Sequence, residues 1–281
     1  MKYLFYSFLI FALILACANE KKPQAEITSV ENDILNDKID TPILVYTKYN
    51  LPLPVDFYRF IKSHESNVQM KNFLNPITNC EKYICNKKRG INFGIYASDL
   101  AYSVVSENKQ QSIDYFNVTK ELADALHIAK GYSLEVVERL NDNLQNNDSL
   151  HQIASKAYWN ACNYLEANDE VNILPLIIAG GWIESIYIAV NSVDENNPPT
   201  QILKRLTDEK QSLENLIQYL LDVITDSNTF EINADIQELG TNFKELRAVY
   251  ATVPNGEILT QSQFIQLKKE ITKIRNFYTN Y

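Results

Sequence analysis

After residue 51, apolar residues recur at intervals of three and four along most of the chain. This is the spacing of helices that bury one face against a common core. Breaks rich in Asn and Pro separate the periodic stretches, and one of them, Asn146-Asn147-Asp148, leaves Asp148 or Ser149 as the N-cap of the following helix. The predicted helices cover about residues 55–73, 90–105, 110–128, 132–146, 149–167, 171–190, 199–227, 231–252 and 259–279.

Residues 171–190 form the most apolar stretch of the predicted helical region. Twenty such residues have the length to cross a bilayer, but Pro175, Gly180, Gly181 and Glu184 interrupt the run, which favours a central helix of a bundle. The Gly180-Gly181 pair predicts a place where another helix passes close to this backbone.

The last three predicted helices are longer and more charged, and the leucines of the first keep a spacing close to a heptad. This pattern predicts an antiparallel helical hairpin followed by a closing helix. Glycine and proline are scarce, with 7 and 9 residues, which disfavours a turn-rich β architecture. The sequence therefore predicts an all-α fold, a multi-helix bundle of about nine helices with a C-terminal antiparallel helical hairpin.

The N-terminus has a different character. Met1 and Lys2 precede an apolar stretch from Tyr3 to Leu15, which is the pattern of a secretory signal and too short for a membrane-spanning helix. Ile14-Leu15-Ala16-Cys17 resembles the lipobox of bacterial lipoproteins, in which the cysteine thiolate takes up a diacylglyceryl group. The alternative is an ordinary cleaved signal in which Cys17 is incidental.

Lipidation at Cys17 divides the chain into three parts: a signal peptide over 1–16, a lipidated N-terminus and flexible tether over 17–50, and a helical domain over 51–281. The tether is polar and acidic and, as a coil, spans roughly 30 Å. Ala18 stands where the enterobacterial inner-membrane retention signal has Asp, so we expect a lipid-anchored protein of the cell envelope, on the outer membrane and facing the periplasm.

The formal net charge of −9 excludes some partners. An acidic chain without a basic stripe argues against nucleic acid and against electrostatic binding to a membrane surface. The predicted partners are the lipid bilayer, through acyl chains on Cys17, and an unidentified protein or small molecule.

The other cysteines are Cys80, Cys85 and Cys162. In an oxidising compartment Cys80 and Cys85 could close a small disulfide loop or remain thiols, while Cys162 has the surroundings of a lone buried thiol. The Cys80-to-Cys85 spacing without a nearby histidine is a poor zinc site, so no metal is expected. No phosphate-binding glycine loop, dinucleotide fingerprint or nucleophile elbow is present, so no cofactor is expected either.

Two short segments echo each other: Asp99-Leu-Ala-Tyr102 and Glu184-Ser-Ile-Tyr187. Each places an acid and a tyrosine on one face of an apolar helix, by duplication or by chance. A carboxylate in such a helix is costly unless it is hydrogen-bonded or faces a polar cavity, so Asp99 and Glu184 are candidates for paired acid-base catalysis. The alternative is that each is satisfied structurally, and the aromatic candidates for the lining of a core or of a binding pocket are Tyr96, Tyr102, Trp182 and Tyr187.

Three segments, Gly94–Tyr102, Asp148-Ser149-Leu150 and Ala179–Tyr187, resemble a group of uncharacterised helical lipoproteins from Bacteroidota. The likeness spans roughly residues 50–225 and implies a helical fold, without an activity. It makes Asp99, Trp182 and Glu184 the first residues to test.

These observations leave three hypotheses of function. The first is a membrane-anchored lipoprotein whose helical domain binds a ligand or partner without catalysis. The second is an enzyme that uses Asp99 and Glu184 for acid-base chemistry, and the third is a structural protein of the envelope. The second requires that the two carboxylates converge on one pocket.

Overall fold

The computed structural model of the protein describes residues 46, 48–64, 73–129, 136, 138–139, 142–143, 146–168, 173–226 and 230–280. Cys17 and the predicted signal peptide lie outside these residues, as do most of the predicted tether and most of the predicted helix at 132–146. The described ranges contain no strand, which confirms the all-α class. They form a short 3-10 helix, Ile77–Lys82, and eight α-helices: α1 Pro54–His64, α2 Asn86–Val105, α3 Lys109–Ala125, α4 Asn147–Ala167, α5 Leu174–Asn191, α6 Thr200–Asp226, α7 Phe230–Ala251 and α8 Gln261–Thr279.

Helix α5 lies at the centre of the bundle and contacts α1, α2, α4, α6, α7 and α8. It is buried on almost every side because nearly all of its residues are apolar, and Pro175 occupies its first turn, where a missing N–H costs no hydrogen bond. By length and composition this helix could cross a membrane, but 89% of the stretch is buried inside the protein. The prediction of a central helix is confirmed.

Helices α2 and α5 run parallel and touch backbone to backbone. A Cβ atom on Gly94 would lie 2.0 Å from the carbonyl oxygen of Ile177, and one on Gly180 would lie 2.0 Å from that of Ile91. No side chain larger than hydrogen fits at either contact. The close helix contact predicted at the Gly180-Gly181 pair is therefore confirmed. The helix that approaches is α2, and the contact requires glycine at position 180.

The C-terminal hairpin consists of α6 and α7, and α8 closes the bundle against α5 and α7. The Tyr250 hydroxyl on α7 donates to the carbonyl oxygen of Leu206 on α6 at 3.0 Å. Helix α8 begins with a capping box in which Thr260 and Gln263 satisfy each other's backbone N–H groups. This arrangement brings the buried face of α8 to the middle of α5.

Three helix ends differ clearly from the predictions. Helix α2 begins at Asn86, four residues before the predicted start at residue 90. Helix α1 is described to His64, and Phe73 lies in non-helical chain instead of ending the helix, because its ring packs between those of Tyr102 and Tyr187. The N-cap of α4 is Asn146, whose side chain accepts a hydrogen bond from the backbone N–H of Ser149. Asp148 and Ser149 are therefore already in the first turn of α4.

The described chain before residue 51 packs on the domain. The Tyr46 hydroxyl lies 2.8 Å from that of Tyr158 on α4, and the Tyr49 hydroxyl donates to Asp222 on α6 at 2.6 Å. Tyr46 is 7% exposed. The helical domain thus includes Tyr46, five residues ahead of the predicted boundary.

Candidate functional site

The two acids singled out in the sequence lie together in the core. Asp99 on α2 and Glu184 on α5 both have no exposed surface, and they lie close enough for the charge of Glu184 to raise the pKa of Asp99. The glycine contact between the parallel helices explains this proximity, since each acid follows its contact glycine, Gly94 or Gly180, by four or five residues. The two acids are therefore close together, as the acid-base hypothesis requires, but neither lines the cleft described below.

A third residue, Arg275 on α8, completes this buried cluster. Its Nε donates to Glu184 Oε2 at 3.1 Å and its Nη2 donates to Oε1 at 3.2 Å, so the guanidinium spans both carboxylate oxygens. The guanidinium also lies 4.6 Å from the centre of the Tyr187 ring. Arg275 was not among the predicted residues, although its place on the apolar face of α8, one turn after Ile271, was a usable signal.

Asp99 differs from Glu184 in its partners. Its Oδ2 accepts from the backbone N–H of Asn75 at 3.2 Å, while its buried Oδ1 has no donor facing it. Burial raises the pKa of Asp99 well above its ordinary value, the nearby Glu184 raises it further, and Arg275 opposes both. A protonated Asp99 can donate to Glu184, which leaves one carboxylate for one guanidinium and no net charge in the cluster.

This geometry suits a structural role better than acid-base catalysis. Both carboxyl groups are sealed from solvent, and Glu184 is held by Arg275. A general acid or base must reach the proton that it transfers in a bound substrate. Within the described ranges no group of three or more His, Cys, Asp or Glu side chains is placed to hold a metal ion.

The four aromatic candidates lie in different surroundings. The Tyr96 hydroxyl donates to the Pro76 carbonyl oxygen at 2.8 Å, and the Tyr102 ring packs edge-on against Tyr58. Tyr187 lies against Arg275, whereas Trp182 donates its Nε1 to the buried Glu209 at 3.0 Å. Tyr102 and Tyr187 flank the same Phe73 ring, whereas Tyr96 and Trp182 pack elsewhere in the core, and none of the four lines the cleft described below.

The cysteines of the described chain are thiols. Cys80 is buried in the 3-10 helix and Cys85 is exposed ahead of α2, so the alternative of a disulfide between them is not formed in this structure. Cys162 is the buried thiol that its surroundings indicated, and burial raises its pKa to about 12. A thiol with so high a pKa is a poor nucleophile at neutral pH.

A separate opening lies between α1, α2, α4 and α5. This cleft has a volume of about 60 Å³, and the residues that line it include no Asp, Glu, Lys or Arg. Neither Asp99 nor Glu184 is among them. The lining residues are Leu53, Pro54, Val55, Gly94, Ala97, Ser98, Leu100, Ala101, Val104, His151, Ala154, Ser155, Tyr158, Trp159 and Gly181.

The cleft exists because its walls carry small side chains. Gly94, Ala97, Ser98 and Ala101 recur along α2 at helical spacing, and Ala154 and Ser155 line the opening from α4. Sequence reasoning missed this site, although the small residues at intervals of three and four on α2 were the signal for it.

Hydrogen bonds within the protein satisfy the polar floor of the cleft. The Ser98 hydroxyl bonds to that of Tyr58, lies 3.3 Å from the Gly181 carbonyl oxygen and lies 3.2 Å from the Ser185 hydroxyl. The Tyr158 hydroxyl is bonded to that of Tyr46. An apolar group can therefore enter without leaving these buried hydroxyls unpaired.

Comparisons of the chain with protein-family models, with curated proteins and with solved structures found no match.

Proposed function

We propose that this protein is a lipoprotein of the cell envelope, held in a membrane by acyl chains on Cys17, whose helical domain binds a ligand or partner through an apolar group placed in the cleft. The observation that carries the proposal is the cleft itself, which has no Asp, Glu, Lys or Arg in its lining. Concave, mostly apolar openings with a few polar groups are the usual form of small-molecule sites.

The position of the cleft agrees with this proposal. Tyr46, near the start of the described chain, contacts Tyr158 through its hydroxyl, and its ring lies edge-on to Trp159 at 5.2 Å. Both partners line the cleft, as do Leu53 and Pro54 just before and at the start of α1. Tyr46, the first residue that the structure describes, thus lies beside the proposed binding site.

The lipid anchor is tested by metabolic labelling. In the original host or a related bacterium, we expect labelled palmitate on the wild-type protein and recovery of the protein with membranes. The Cys17→Ser variant should lose both. The matched control is Cys85→Ser, which removes the exposed thiol of the described domain and should keep label and membrane association. Label retained by Cys17→Ser would contradict the proposed anchor.

The binding role is tested with a variant that fills the cleft. Leucine at Ala101 adds a side chain to the cleft wall, whereas Ala167→Leu adds the same atoms at an exposed position of α4. After purification from the host envelope, native mass spectrometry should show a non-covalent ligand on the wild type and on Ala167→Leu, and none on Ala101→Leu. A ligand that persists on Ala101→Leu would place the binding site elsewhere.

A further inference from the structure

We infer that the cleft is a slot for one unbranched alkyl chain of a single-chain amphiphile, such as a fatty acid. This inference rests on the proposed function, because it assigns a chemical class to the ligand of the same site. It is carried by the length of the cleft, by the chemistry of its walls and by the location of its polar groups.

The cleft is elongated. Its lining on α2 extends from Gly94 to Val104, a rise of ten residues that spans roughly 15 Å of helix. Its lining on α4 extends from His151 to Trp159, a rise of eight residues that spans roughly 12 Å. The enclosed volume of about 60 Å³ is small for this length, so the cleft is a thin slot that is partly open to solvent, which suits a linear chain better than a compact ring system.

The walls offer mainly dispersion contacts. Leu53, Val55, Leu100 and Val104 supply branched aliphatic carbons, and the floor hydroxyls are already bonded within the protein. A bound molecule with polar groups along its length would lose hydrogen bonds to water without replacement. An alkyl chain has none to lose.

The polar groups lie toward one end. His151 and Ser155 occupy the first half of the α4 lining, with 3.4 Å between His151 Nδ1 and Ser155 Oγ. Trp159 is at the other end, where the neighbouring Tyr158 ring stacks on Phe93. The head group of an amphiphile is therefore expected near His151, and the end of its tail near Trp159.

This orientation can be read from tryptophan fluorescence. The chain has two tryptophans, and Trp182 is buried against Phe243 and Glu209 and does not line the cleft, whereas Trp159 does. Bromine at the tail end of dodecanoate should therefore quench Trp159, and bromine beside the carboxylate should quench it less. The Trp159→Phe variant should lose most of the quenching and the difference between the two compounds.

The experiment uses residues 18–281, which retain the compact unit from Thr41 to Tyr281. We expect affinity to increase about fourfold with each added methylene and to level off near about ten carbons, where the chain fills the slot. Ala101→Leu should weaken dodecanoate binding at least tenfold with an unchanged thermal unfolding curve, and Ala167→Leu should match the wild type. Ala97→Leu adds a side chain to the same wall of the cleft and replaces Ala101→Leu in this test if that variant does not fold.

Several outcomes would overturn the inference. One is binding of indole or phenol without binding of dodecanoate. Another is quenching by vesicles of brominated phosphatidylcholine alone, which would make the cleft a membrane contact. A third is binding by residues 18–281 that is lost in the lipidated chain, because the acyl chains on Cys17 would then fill the cleft. If native mass spectrometry shows a ligand but dodecanoate does not bind, the proposed function stands and the alkyl assignment fails.

Discussion

Arg275 holds both carboxylate oxygens of Glu184, a residue 91 positions earlier in the chain, at 3.1 and 3.2 Å. The arginine is 6% exposed and the glutamate is fully buried, so this ion pair belongs to the core. A buried ion pair gives little net stability compared with an apolar pair of the same size. Removing only one of the two side chains is costly, because the other charge then remains buried without its partner.

Replacing Arg275 by Met should therefore destabilise the protein by about 3–5 kcal/mol, measured by urea unfolding. The control is Lys273→Met on the same helix, since the Lys273 side chain is 71% exposed and its change should stay within about 0.5 kcal/mol. The double variant Glu184→Gln with Arg275→Met should recover part of the loss. If Arg275→Met alone cost less than about 1 kcal/mol, the buried ion pair would not contribute as described.

Stability should also depend on pH through Asp99. Its pKa is raised in the folded protein above the ordinary 3.8, mainly by burial and next by Glu184. The folded state therefore holds this proton more tightly than the unfolded state, and the stability that the proton contributes is complete below pH of about 4. That contribution is lost as pH rises through the range up to the folded pKa, by at most about 1.4 kcal/mol per pH unit.

Asp99→Asn removes this titration and keeps the shape of the side chain. Between pH 4 and pH 8 the free energy of unfolding of the variant should increase relative to the wild type, as measured by urea titrations at each pH. The Asp114→Asn variant serves as the control, since Asp114 lies on α3 outside the core. A constant difference between Asp99→Asn and the wild type would show that Asp99 does not carry a raised pKa.

The sequence pattern was sufficient to predict most of the helices and to identify the helix at the centre of the bundle. Apolar spacing placed α3 to α8 to within a few residues, and the all-round apolarity of α5 identified it as the central helix. The Gly180-Gly181 pair also indicated the close helix contact. Such features depend on local composition and periodicity, which can be read directly from the sequence.

The contacts of the candidate residues were harder to predict from the sequence. The echo between Asp99 and Glu184 showed two similar acids, but the arginine that pairs with Glu184 lies on α8, and its distance along the chain gave no indication of contact. The cleft depends on the relative placement of α1, α2, α4 and α5. Crossings between distant helices follow from tertiary packing, so a single sequence does not reveal them.

Tyr46 provides a test of where the helical domain begins. Its ring is buried beside Trp159 and its hydroxyl contacts that of Tyr158, so Tyr46→Ala should cost about 3–5 kcal/mol of unfolding free energy. The control is Ile84→Ala, since Ile84 is 77% exposed and should tolerate the change within about 0.5 kcal/mol. If Tyr46→Ala left the unfolding free energy unchanged, the helical domain would begin near residue 51, as predicted from the sequence.

The glycine contact between α2 and α5 gives the strictest test of the fold. Alanine at Gly94 or at Gly180 puts a Cβ atom 2.0 Å from a backbone carbonyl oxygen of the other helix. Backbone cannot rotate away as a side chain can, so the two helices must separate, which opens the core around Asp99 and Glu184. Each substitution should therefore lower the unfolding free energy by more than about 3 kcal/mol, at the upper end of the cost of overpacking a core.

Gly240 on α7 is the matched control for this change. A Cβ atom there meets nothing within 4 Å, and Gly240 lies inside a helix, where alanine is favoured by roughly 0.5–1 kcal/mol. Gly240→Ala should thus raise the urea midpoint while Gly94→Ala and Gly180→Ala lower it. Because the three variants differ by the same single methyl group, opposite signs can come only from the space around each glycine, and a stable Gly180→Ala protein would refute the close crossing of α2 and α5.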